Sequence, residues 1–421
     1  MKLIEFGAIS HIKKGKKPLR QSDKRQDGYM PYVDIEAFET GNIKMYTDGE
    51  KCLPCKAGDI LIVCDGSRSG FVGKAIDGYV GSTLAIITAD GMSQEYLYYF
   101  LQGKYALLNT KKKGTGTPHL DANILNQQKL VVPSLEEQKR VVAQIEELFS
   151  ELDNGVETLQ KTKQQLAVYR QAVLKEAFEG NYTCDYRKNN CYSNAENDFK
   201  SIKITNAIYK DTSGDENEIK LSLPDGWIKV RMGDVFAVEV GSTPSRRIPE
   251  YWNGDIPWVS SGEVHFNSIF ETEECITQNG LAHASTNVHP IGTIMLAMIG
   301  EGKTRGQAAI LNIPAAHNQN TAAILVSKTP CQPKYIYYFL QMNYENTRRV
   351  GSGNNQKALN KERVRALRFP FASFEEQKII VEEIESRFSV CDSIEKTVDT
   401  ALQQAEAMRQ SILKKAFEGE L

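Results

Sequence analysis

Long hydrophobic runs are missing from this sequence. The longest apolar stretch, residues 294–299, has only six residues, whereas a helix that crosses a membrane needs about 20. Glu5 stands where a secretory signal would need its apolar segment. We therefore expect a cytoplasmic protein that has no membrane segment.

Neither a large net charge nor a dense set of cysteines is present. A net charge of -2, with 25% charged and 41% hydrophobic residues, excludes a wholly disordered chain. Eight cysteines in 421 residues form no dense framework, so we expect reduced thiols. Cys52 and Cys55 are the one close pair, and no second pair or histidine stands near enough to complete a zinc site. The pair predicts two small residues at a strand edge, with a metal or redox role as the alternative.

Catalytic motifs are also lacking. The sequence has no dinucleotide fingerprint, nucleophile elbow or zinc-protease helix motif, and its six histidines form no ligand pair at helical spacing. The nearest approach is residues 297–304, a phosphate-loop pattern with Ala297 in place of the first glycine. A phosphate loop needs a helix after it, but residues 305–314 favour a strand. We therefore predict a glycine-rich turn between strands, with a nucleotide-dependent enzyme built on Gly302-Lys303-Thr304 as an alternative.

The sequence does contain an internal repeat, which decides the architecture. The segment Tyr96-Leu97-Tyr98-Tyr99-Phe100-Leu101-Gln102 recurs at 335–341, and residues 136–180 recur without a gap, both offset by 239 positions. Upstream the offset drifts, because Pro31-Tyr32-Val33 matches residues 257–259 at an offset of 226. The repeats therefore share a frame while their loops differ.

Each repeat has a variable first part and a second part of constant length. At about 150 residues per domain, the chain has room for about three domains. Short β-branched runs separated by glycine, followed by an aromatic helix candidate at 94–102, predict α+β domains in the first parts. The expected order is a first domain, a long helix, an exposed polar connector, a similar second domain and a second long helix, at 1–133, 134–180, 181–222, 223–372 and 373–421.

The second parts predict long helices that pair with each other. Ser134 and Ser373 each precede a Glu three residues later, which is a capping box, and we interpret the Glu-Gln-Lys that follows as capping rather than catalysis. Gly180 and Gly419 are expected to end the helices. Heptads place Ile145, Leu152, Leu159, Leu166 and Val173 at position a, with Leu148 and Tyr169 at d. The second copy has Ile384, Cys391, Val398, Ala405 and Ile412 at a, with Ile394, Ala401 and Met408 at d. Antiparallel pairing within the chain is expected, although a separate coiled-coil partner would give the same pattern.

Basic residues are unevenly distributed, and they recur at matching places in the two repeats. Lysine and arginine attract phosphates, while Arg, Asn and Gln can form paired hydrogen bonds to bases. Solvated charged loops are the alternative for any single residue. By contrast, acidic residues dominate 135–160, which favours protein contacts there. The candidate DNA-binding residues are Lys13, Lys14, Lys16, Lys17, Arg20, Arg68, Lys111, Lys112, Lys113, Arg246, Arg247, Lys303, Arg305, Arg348, Arg349, Asn354, Asn355, Gln356 and Lys357.

With its duplicated helix starts, the Ala-Phe-Glu-Gly helix ends and the Tyr-x-Tyr-Tyr-Phe-Leu segments, the chain resembles the specificity subunit of type I restriction-modification enzymes. The resemblance covers the chain except for the connector. It implies two target-recognition domains that each recognise half of a bipartite site in double-stranded DNA, separated by two antiparallel coiled-coil helices.

The resemblance also implies partners. Methyltransferase subunits, expected to be two, would dock on the chain, and restriction subunits would join through the complex. S-adenosylmethionine, ATP and magnesium would belong to those partners, so the chain itself is expected to be non-catalytic and to bind no cofactor and no metal. A coiled-coil adaptor without DNA affinity is the second alternative.

Overall fold

The computed structural model describes residues 3–113, 118–189, 195–202, 222–300, 302–349 and 358–421. The chain divides into two compact units: unit 1 comprises 1–162 and 397–421, and unit 2 comprises 163–396. Each unit therefore contains one globular domain and pieces of both long helices. None of the helices in the described part of the chain combines the length and apolar character that crossing a membrane requires.

The domain of unit 1 is built from short strands and a few helices. Its strands are β1 Ile4–Glu5, β2 Ser10–Lys14, β3 Met30–Val33, β4 Tyr46–Thr47, β5 Pro54–Cys55, β6 Ile60–Val63, β7 Val72–Lys74, β8 Gly78–Val80, β9 Leu84–Ala89 and β10 Lys129–Leu130. Its helices are α1 Ile35–Thr40, α2 Gln94–Thr110 and α3 Ala122–Asn126, followed by the long helix α4 Leu135–Phe178.

Two four-stranded sheets, ordered β2-β9-β6-β7 and β4-β3-β8-β5, form this domain. The first sheet is antiparallel, and in the second β3 runs parallel to β8. Strand β6 is buried on both faces because alternate side chains enter different cores. Ile60 and Ile62 pack with Phe100 of α2, while Leu61 and Val63 pack in a separate core with Val33.

Unit 2 repeats this frame, with five strands in its main sheet and three in the second. Its strands are β11 Ile228–Arg231, β12 Val238–Val240, β13 Trp252–Val259, β14 Asn267–Ile269, β15 Glu274–Ile276, β16 Ile294–Ala297, β17 Ala308–Leu311, β18 Ala316–His317, β19 Thr321–Ile324 and β20 Arg368–Phe371. Its helices are α5 Cys184–Asn189, α6 Ala195–Ser201, α7 Met232–Val235, α8 Gln278–Ala282, α9 Pro333–Met342, α10 Tyr344–Arg349 and α11 Lys361–Ala366, before the long helix α12 Phe374–Glu418.

The main sheet of unit 2 is ordered β12-β19-β16-β17-β14, beside the sheet β15-β13-β18. Strand β16 corresponds to β6 and alternates in the same way: Ile294 and Leu296 enter the larger core, whereas Met295 and Ala297 enter a second core. The predicted α+β fold with two similar domains is thus confirmed.

Both long helices begin and end where the sequence predicts. The Ser134 and Ser373 hydroxyls accept hydrogen bonds from the backbone amides of Glu137 and Glu376, each at 3.3 Å. Gly180 and Gly419 then adopt φ values of 76° and 79°, the left-handed conformation that ends a helix. The helices are antiparallel where they pair: within unit 1 Arg409 contacts Asp153, and within unit 2 Arg170 contacts Asp392.

The predicted heptad register is wrong in one respect. The a series is buried or half-buried, but Tyr169, Ile394 and Met408, which were placed at d, are 45%, 40% and 55% exposed. The second series instead lies four residues after the a positions, except at Lys163, which is exposed; it comprises Phe149, Val156, Arg170 and Ala177 in α4 and Phe388, Glu395, Leu402, Arg409 and Ala416 in α12. This series includes the polar residues Arg170, Glu395 and Arg409, so a search for apolar residues at heptad spacing does not find it.

The two arginines of this series make the same contacts in both units. Arg409 pairs with Asp153 and lies 4.5 Å from the Phe149 ring centroid. Arg170 pairs with Asp392 at 2.6 Å and lies 5.1 Å from the Phe388 ring centroid. The contacts are related by the 239-residue offset, so each arginine fastens its helix pair through an ion pair and a cation–π contact.

Replacing Arg170 or Arg409 by methionine should lower the free energy of unfolding by about 1 kcal/mol, because both contacts are lost while the aliphatic stem is kept. Urea denaturation measures this change. Lys161→Met provides the control: among the described residues Lys161 pairs only with Glu157, at an exposed position on its own helix, so this variant should change stability little. Arginine variants that unfold at the same urea concentration as the control would contradict the assignment.

The end of each long helix packs on the aromatic helix of the other repeat. Within unit 1, the Phe417 ring lies 4.9 Å from Tyr96 and 5.4 Å from Phe100. Within unit 2, the Phe178 ring lies 5.0 Å from Tyr335 and 5.6 Å from Phe339. The two duplicated motifs therefore contact each other, and each domain is completed by a helix end from the other half of the chain.

The segment 181–222 differs from the predicted exposed connector. In its described part, α5 and α6 are helical, and Ala195 and Ile202 are buried in the large core of unit 2. Asp198 also accepts a hydrogen bond from the Phe374 amide at 2.8 Å, at the start of α12. A polar composition concealed these few anchoring residues.

Candidate nucleic-acid interface

In unit 1, three basic segments meet at the turn between β6 and β7, residues 64–71. Asp65 in this turn accepts a hydrogen bond from the Lys14 ammonium at 2.7 Å, and its other oxygen lies 2.7 Å from His119 Nδ1. Burial would raise the pKa of Asp65, but the hydrogen bonds from Lys14 and His119 outweigh it and lower that pKa. The Asp65 carboxylate is therefore ionised at neutral pH, and it forms an ion pair with Lys14.

The end of α2 contacts the same turn. The Lys112 ammonium donates to the Ser67 carbonyl at 2.8 Å, and Lys113 pairs with Asp121 at 3.0 Å. Arg68 pairs with Glu39 at 2.7 Å and lies 4.1 Å from the Phe71 ring centroid. The structure thus brings Lys14, Arg68, Lys112 and Lys113 around one turn.

In unit 2, the corresponding turn between β16 and β17, residues 298–307, carries Lys303 and Arg305. Lys303 is exposed, and its carbonyl accepts a hydrogen bond from the Tyr344 hydroxyl. Arg348 Nη1 donates to the same hydroxyl at 2.9 Å. Arg305 differs from its prediction as a surface contact, because it is only 8% exposed and its Nε has no hydrogen-bond partner among the described residues.

The structure after this turn bears on the alternative that residues 297–304 form a nucleotide-binding phosphate loop. β16 and β17 pair antiparallel through Ile294–Ile310 and Leu296–Ala308. The predicted glycine-rich turn between strands is confirmed, and a strand rather than a helix follows Lys303 and Thr304. The helix N-terminus that a phosphate loop uses is therefore missing from this place.

A second pair of basic loops follows Gly15 and Gly241, a recurrence that the sequence comparison missed. A Cβ on Gly15 would lie 2.3 Å from the Val80 carbonyl oxygen, and one on Gly241 would lie 1.9 Å from that of His317. Only glycine allows these close approaches. Each glycine is followed three residues later by a proline, at an offset of 226, which is the signal that could have identified the pair.

The residues after these glycines fall into two groups. Lys16 and Lys17 are exposed, whereas Arg20 pairs with Asp48 at 3.2 Å. In the second loop, Arg247 is exposed, whereas Arg246 forms a two-pronged pair with Glu274 and lies 3.6 Å from the Trp252 ring centroid. One basic residue in each loop therefore anchors it while others face solvent.

Most of the basic candidate residues fall into two groups, those that form ion pairs within the protein and those that are exposed without one. Lys14, Arg20, Arg68, Lys113, Arg246 and Arg349 have acidic partners. Exposed residues without an ion pair in the described ranges are Lys13, Lys16, Lys17, Lys111, Arg247 and Lys303. Asn354, Asn355, Gln356 and Lys357 lie outside the described residues.

The Glu-Glu-Gln-Lys motifs have a structural role beyond capping. The buried Gln138 side chain accepts from the Ser93 amide at 2.8 Å and donates to the Gly91 carbonyl at 2.7 Å, which ties α4 to the start of α2. Gln377 repeats this role: its side chain accepts from the Gln332 amide at 3.1 Å, at the start of α9. The identical motif thus joins a long helix to an aromatic helix in both units.

Two histidines 28 residues apart meet in unit 2, a contact that periodicity could not reveal. His289 Nε2 and His317 Nε2 are 3.1 Å apart, and His317 Nδ1 is 2.7 Å from the Thr321 hydroxyl. Burial, with His289 nearby, lowers the pKa of His317 to about 3. The pair is therefore neutral and hydrogen-bonded within the core.

Metal-ligating side chains do not gather elsewhere in the described residues: no group of three or more His, Cys, Asp or Glu could hold an ion there. Cys55 lies in β5 and is buried, in keeping with the strand-edge prediction. Burial, with Asp59 and Asp77 nearby, raises the pKa of its thiol to about 11. This thiol therefore stays protonated at neutral pH, which makes it a poor metal ligand.

Comparisons with known proteins agree with this architecture. The family model for the type I restriction modification DNA specificity domain matches the chain twice, at 1–167 and 224–404. The MjaVIII specificity subunit of Methanocaldococcus jannaschii is 26% identical over 91% of this chain and 85% of its own length. The EcoBI specificity subunit of Escherichia coli is 24% identical over 95% and 81% of the two chains.

Solved structures share the fold. A chain from a structure of the assembly of a type I R-M system has a TM-score of 0.70 at 17% identity, covering 100% of this chain and 98% of that one. The HsdS subunit from Thermoanaerobacter tengcongensis has a TM-score of 0.53 at 17% identity, covering 100% and 97%. Because the family model matches both repeats and most of the sequence, the chain belongs to the type I restriction-modification specificity subunits, the family that recognises DNA sequence in these systems.

Proposed function

We propose that the chain recognises a bipartite site in double-stranded DNA, one half-site with each domain, and that it docks methyltransferase subunits without catalytic chemistry of its own. The observation that carries this proposal is the recurrence of one arrangement in two domains of different sequence. In each unit, the turn that follows the central strand is hydrogen-bonded to equivalent segments beside exposed basic residues: the end of the aromatic helix α2 in unit 1, and α10, the helix after the aromatic helix α9, in unit 2.

Exposed basic residues without ion pairs are the phosphate contacts in this proposal. Lys13, Lys16, Lys17 and Lys111 serve unit 1, and Arg247 and Lys303 serve unit 2. The paired residues, such as Lys14 and Arg246, act instead as anchors that set the shape of the loops. Phosphate contacts supply sequence-independent affinity, while base contacts in the grooves supply specificity.

Docking of methyltransferase subunits is proposed for the exposed acidic start of α4. Glu136, Glu146, Glu147 and Glu151 are exposed there, and the DNA phosphates would repel them. Restriction subunits would join through that complex. ATP, magnesium and S-adenosylmethionine would accompany the partners.

The test is selection of duplexes from a random DNA library by the full chain, at two salt concentrations. Two constant half-sites separated by a fixed gap are expected. A chain that enriches no sequence and binds no DNA at low salt would instead support the coiled-coil adaptor. ATP hydrolysis by the chain that is lost in Lys303→Ala would support the enzyme alternative.

Replacing Lys16 and Lys17 together by methionine should flatten the salt dependence of DNA binding. Each lost phosphate contact should reduce the slope of log affinity against log salt by about 0.9, so the pair should reduce it by about 2. The selected sequence should not change. Lys161→Met, on the outer face of α4, is the control. An unchanged slope in the double variant would remove these lysines from the interface.

A further inference from the structure

The two turns are held at equivalent positions but by different chemistry: the first against the end of α2, the second against α10, which follows the aromatic helix α9. Gly70 in the first turn has a φ of 92°, and a Cβ there would lie 2.7 Å from Leu108. Gly306 in the second turn has a φ of 86°, and a Cβ there would lie 3.3 Å from the Arg348 amide. Asn109 and Arg348 are related by the 239-residue offset, so both turns contact equivalent positions.

In unit 1 the contact is direct. The Asn109 side-chain amide donates to the Ser67 carbonyl at 3.0 Å and to the Ser69 carbonyl at 3.1 Å. The Ser69 hydroxyl, which is fully buried, donates to the Gly66 carbonyl at 2.8 Å. One amide group therefore binds the turn through two backbone carbonyls, which leaves the turn little freedom to change shape.

In unit 2 the contact passes through Tyr344. Its hydroxyl donates to the Lys303 carbonyl and accepts from Arg348. The Tyr344 ring packs edge-on against Phe266 at 5.4 Å. Phe266 has a φ of 54°, a strained value for a bulky residue that persists only where its surroundings impose it. The hydroxyl is thus held in place by packing on one side and by Arg348 on the other.

We infer that Asn109 in unit 1, and Tyr344 with Arg348 in unit 2, are positioning residues for the DNA-contacting turns, and that each pre-organises recognition of one half-site. This inference rests on the proposed function. A turn that is already ordered loses less conformational entropy when it binds, and its base-facing groups are held in register. Arg348 then acts through Tyr344 rather than by binding a phosphate.

The experiment compares Asn109→Leu and Tyr344→Phe in the full chain, by duplex selection and by affinity for the selected site. Leucine keeps the branched four-atom skeleton of the Asn109 side chain without its donors, and phenylalanine keeps the ring of Tyr344 without its hydroxyl. Tyr337→Phe is the matched control, because its ring packs on the same Phe266. We expect each test variant to reduce discrimination at one half-site, a different one in each, by about tenfold, the size of one base contact.

The salt slope and the thermal midpoint separate positioning from the other roles. The salt slope should match the wild type in Asn109→Leu and Tyr344→Phe, and the thermal midpoint should fall by only a few degrees, because each variant loses one or two hydrogen bonds within one turn. Arg348→Gln should also keep the slope, whereas loss of a phosphate contact would lower it by about 0.9. Unchanged half-sites, or equal weakening of both half-sites with a much lower midpoint, would overturn the inference while the wild type still selects a bipartite site. A wild type that selects no site would overturn the proposed function and this inference with it.

Discussion

Replacing Glu376 by glutamine is expected to lower the free energy of unfolding of unit 2 by about 3–5 kcal/mol, the range for breaking one side of a buried ion pair. Glu376 is 1% exposed, and one carboxylate oxygen accepts from Arg187 and from the Trp227 indole, each at 3.0 Å. Its other oxygen accepts from the Ser373 hydroxyl at 3.3 Å. Glutamine keeps the shape but leaves the Arg187 charge, at 17% exposure, without a counter-ion.

Glu137 offers a matched control, because it holds the same motif position in the first repeat. Its side chain is 37% exposed and pairs only loosely, at 3.5 Å, with Arg140. Glu137→Gln should therefore cost at most about 1 kcal/mol. Urea denaturation followed by circular dichroism measures both variants, because the three tryptophans all lie in unit 2 and would not report on Glu137 in unit 1. Equal losses in the two variants would show that the interaction of a carboxylate with the first helical turn, which the two positions share, dominates over the buried pair.

Lengthening both long helices by three heptads is expected to widen the gap between the DNA half-sites by about nine base pairs. The units divide between Thr162 and Lys163 and between Lys396 and Thr397, so insertions at these two points leave the contacts inside each unit intact. Twenty-one residues add about 32 Å of helix. DNA completes a turn in about 34–36 Å, so the new half-site also faces nearly the same side of the duplex. This prediction rests on the proposed bipartite recognition.

Duplex selection measures the gap. The interface positions alternate at spacings of four and three residues along each helix. An insertion of three whole heptads in both helices keeps this alternation and therefore keeps the pairing. The control inserts the same heptads into α4 alone, which shifts its register against α12 and should abolish a fixed gap. If the double insertion selected the original gap with full affinity, the helices would be tethers and not a spacer.

The start and end of each long helix could be predicted because those signals are local. A serine cap, a glutamate three residues later and a terminal glycine act within one turn of backbone, and the structure confirms the serine caps and the terminal glycines. The pairing register could not be predicted in the same way. Arg170 and Arg409 occupy the interface through ion pairs and aromatic contacts, so an apolar count selected Ile394 and Met408, which are exposed.

The candidate nucleic-acid interface was likewise only partly predictable from the sequence. The sequence indicated which segments are basic and that they recur at matching places. It could not distinguish Lys16, which is free of ion pairs in the described structure, from Lys14, which Asp65 holds at 2.7 Å. Pairing depends on residues some 50 positions apart, and a sequence pattern does not report such contacts. Asn109 and Tyr344 were not among the candidates because neither carries a charge, and their contacts with the turns are also distant in sequence.

The sequence by itself determined the duplication, the two α+β domains, the length of the long helices and the family resemblance, because repeats and capping signals are written in adjacent residues. The tertiary structure alone decided that Phe417 completes the first domain and Phe178 the second, and that Glu376 is buried while Glu137 is not. Those outcomes depend on which surfaces exclude water together, and burial joins residues hundreds of positions apart whose local patterns are the same.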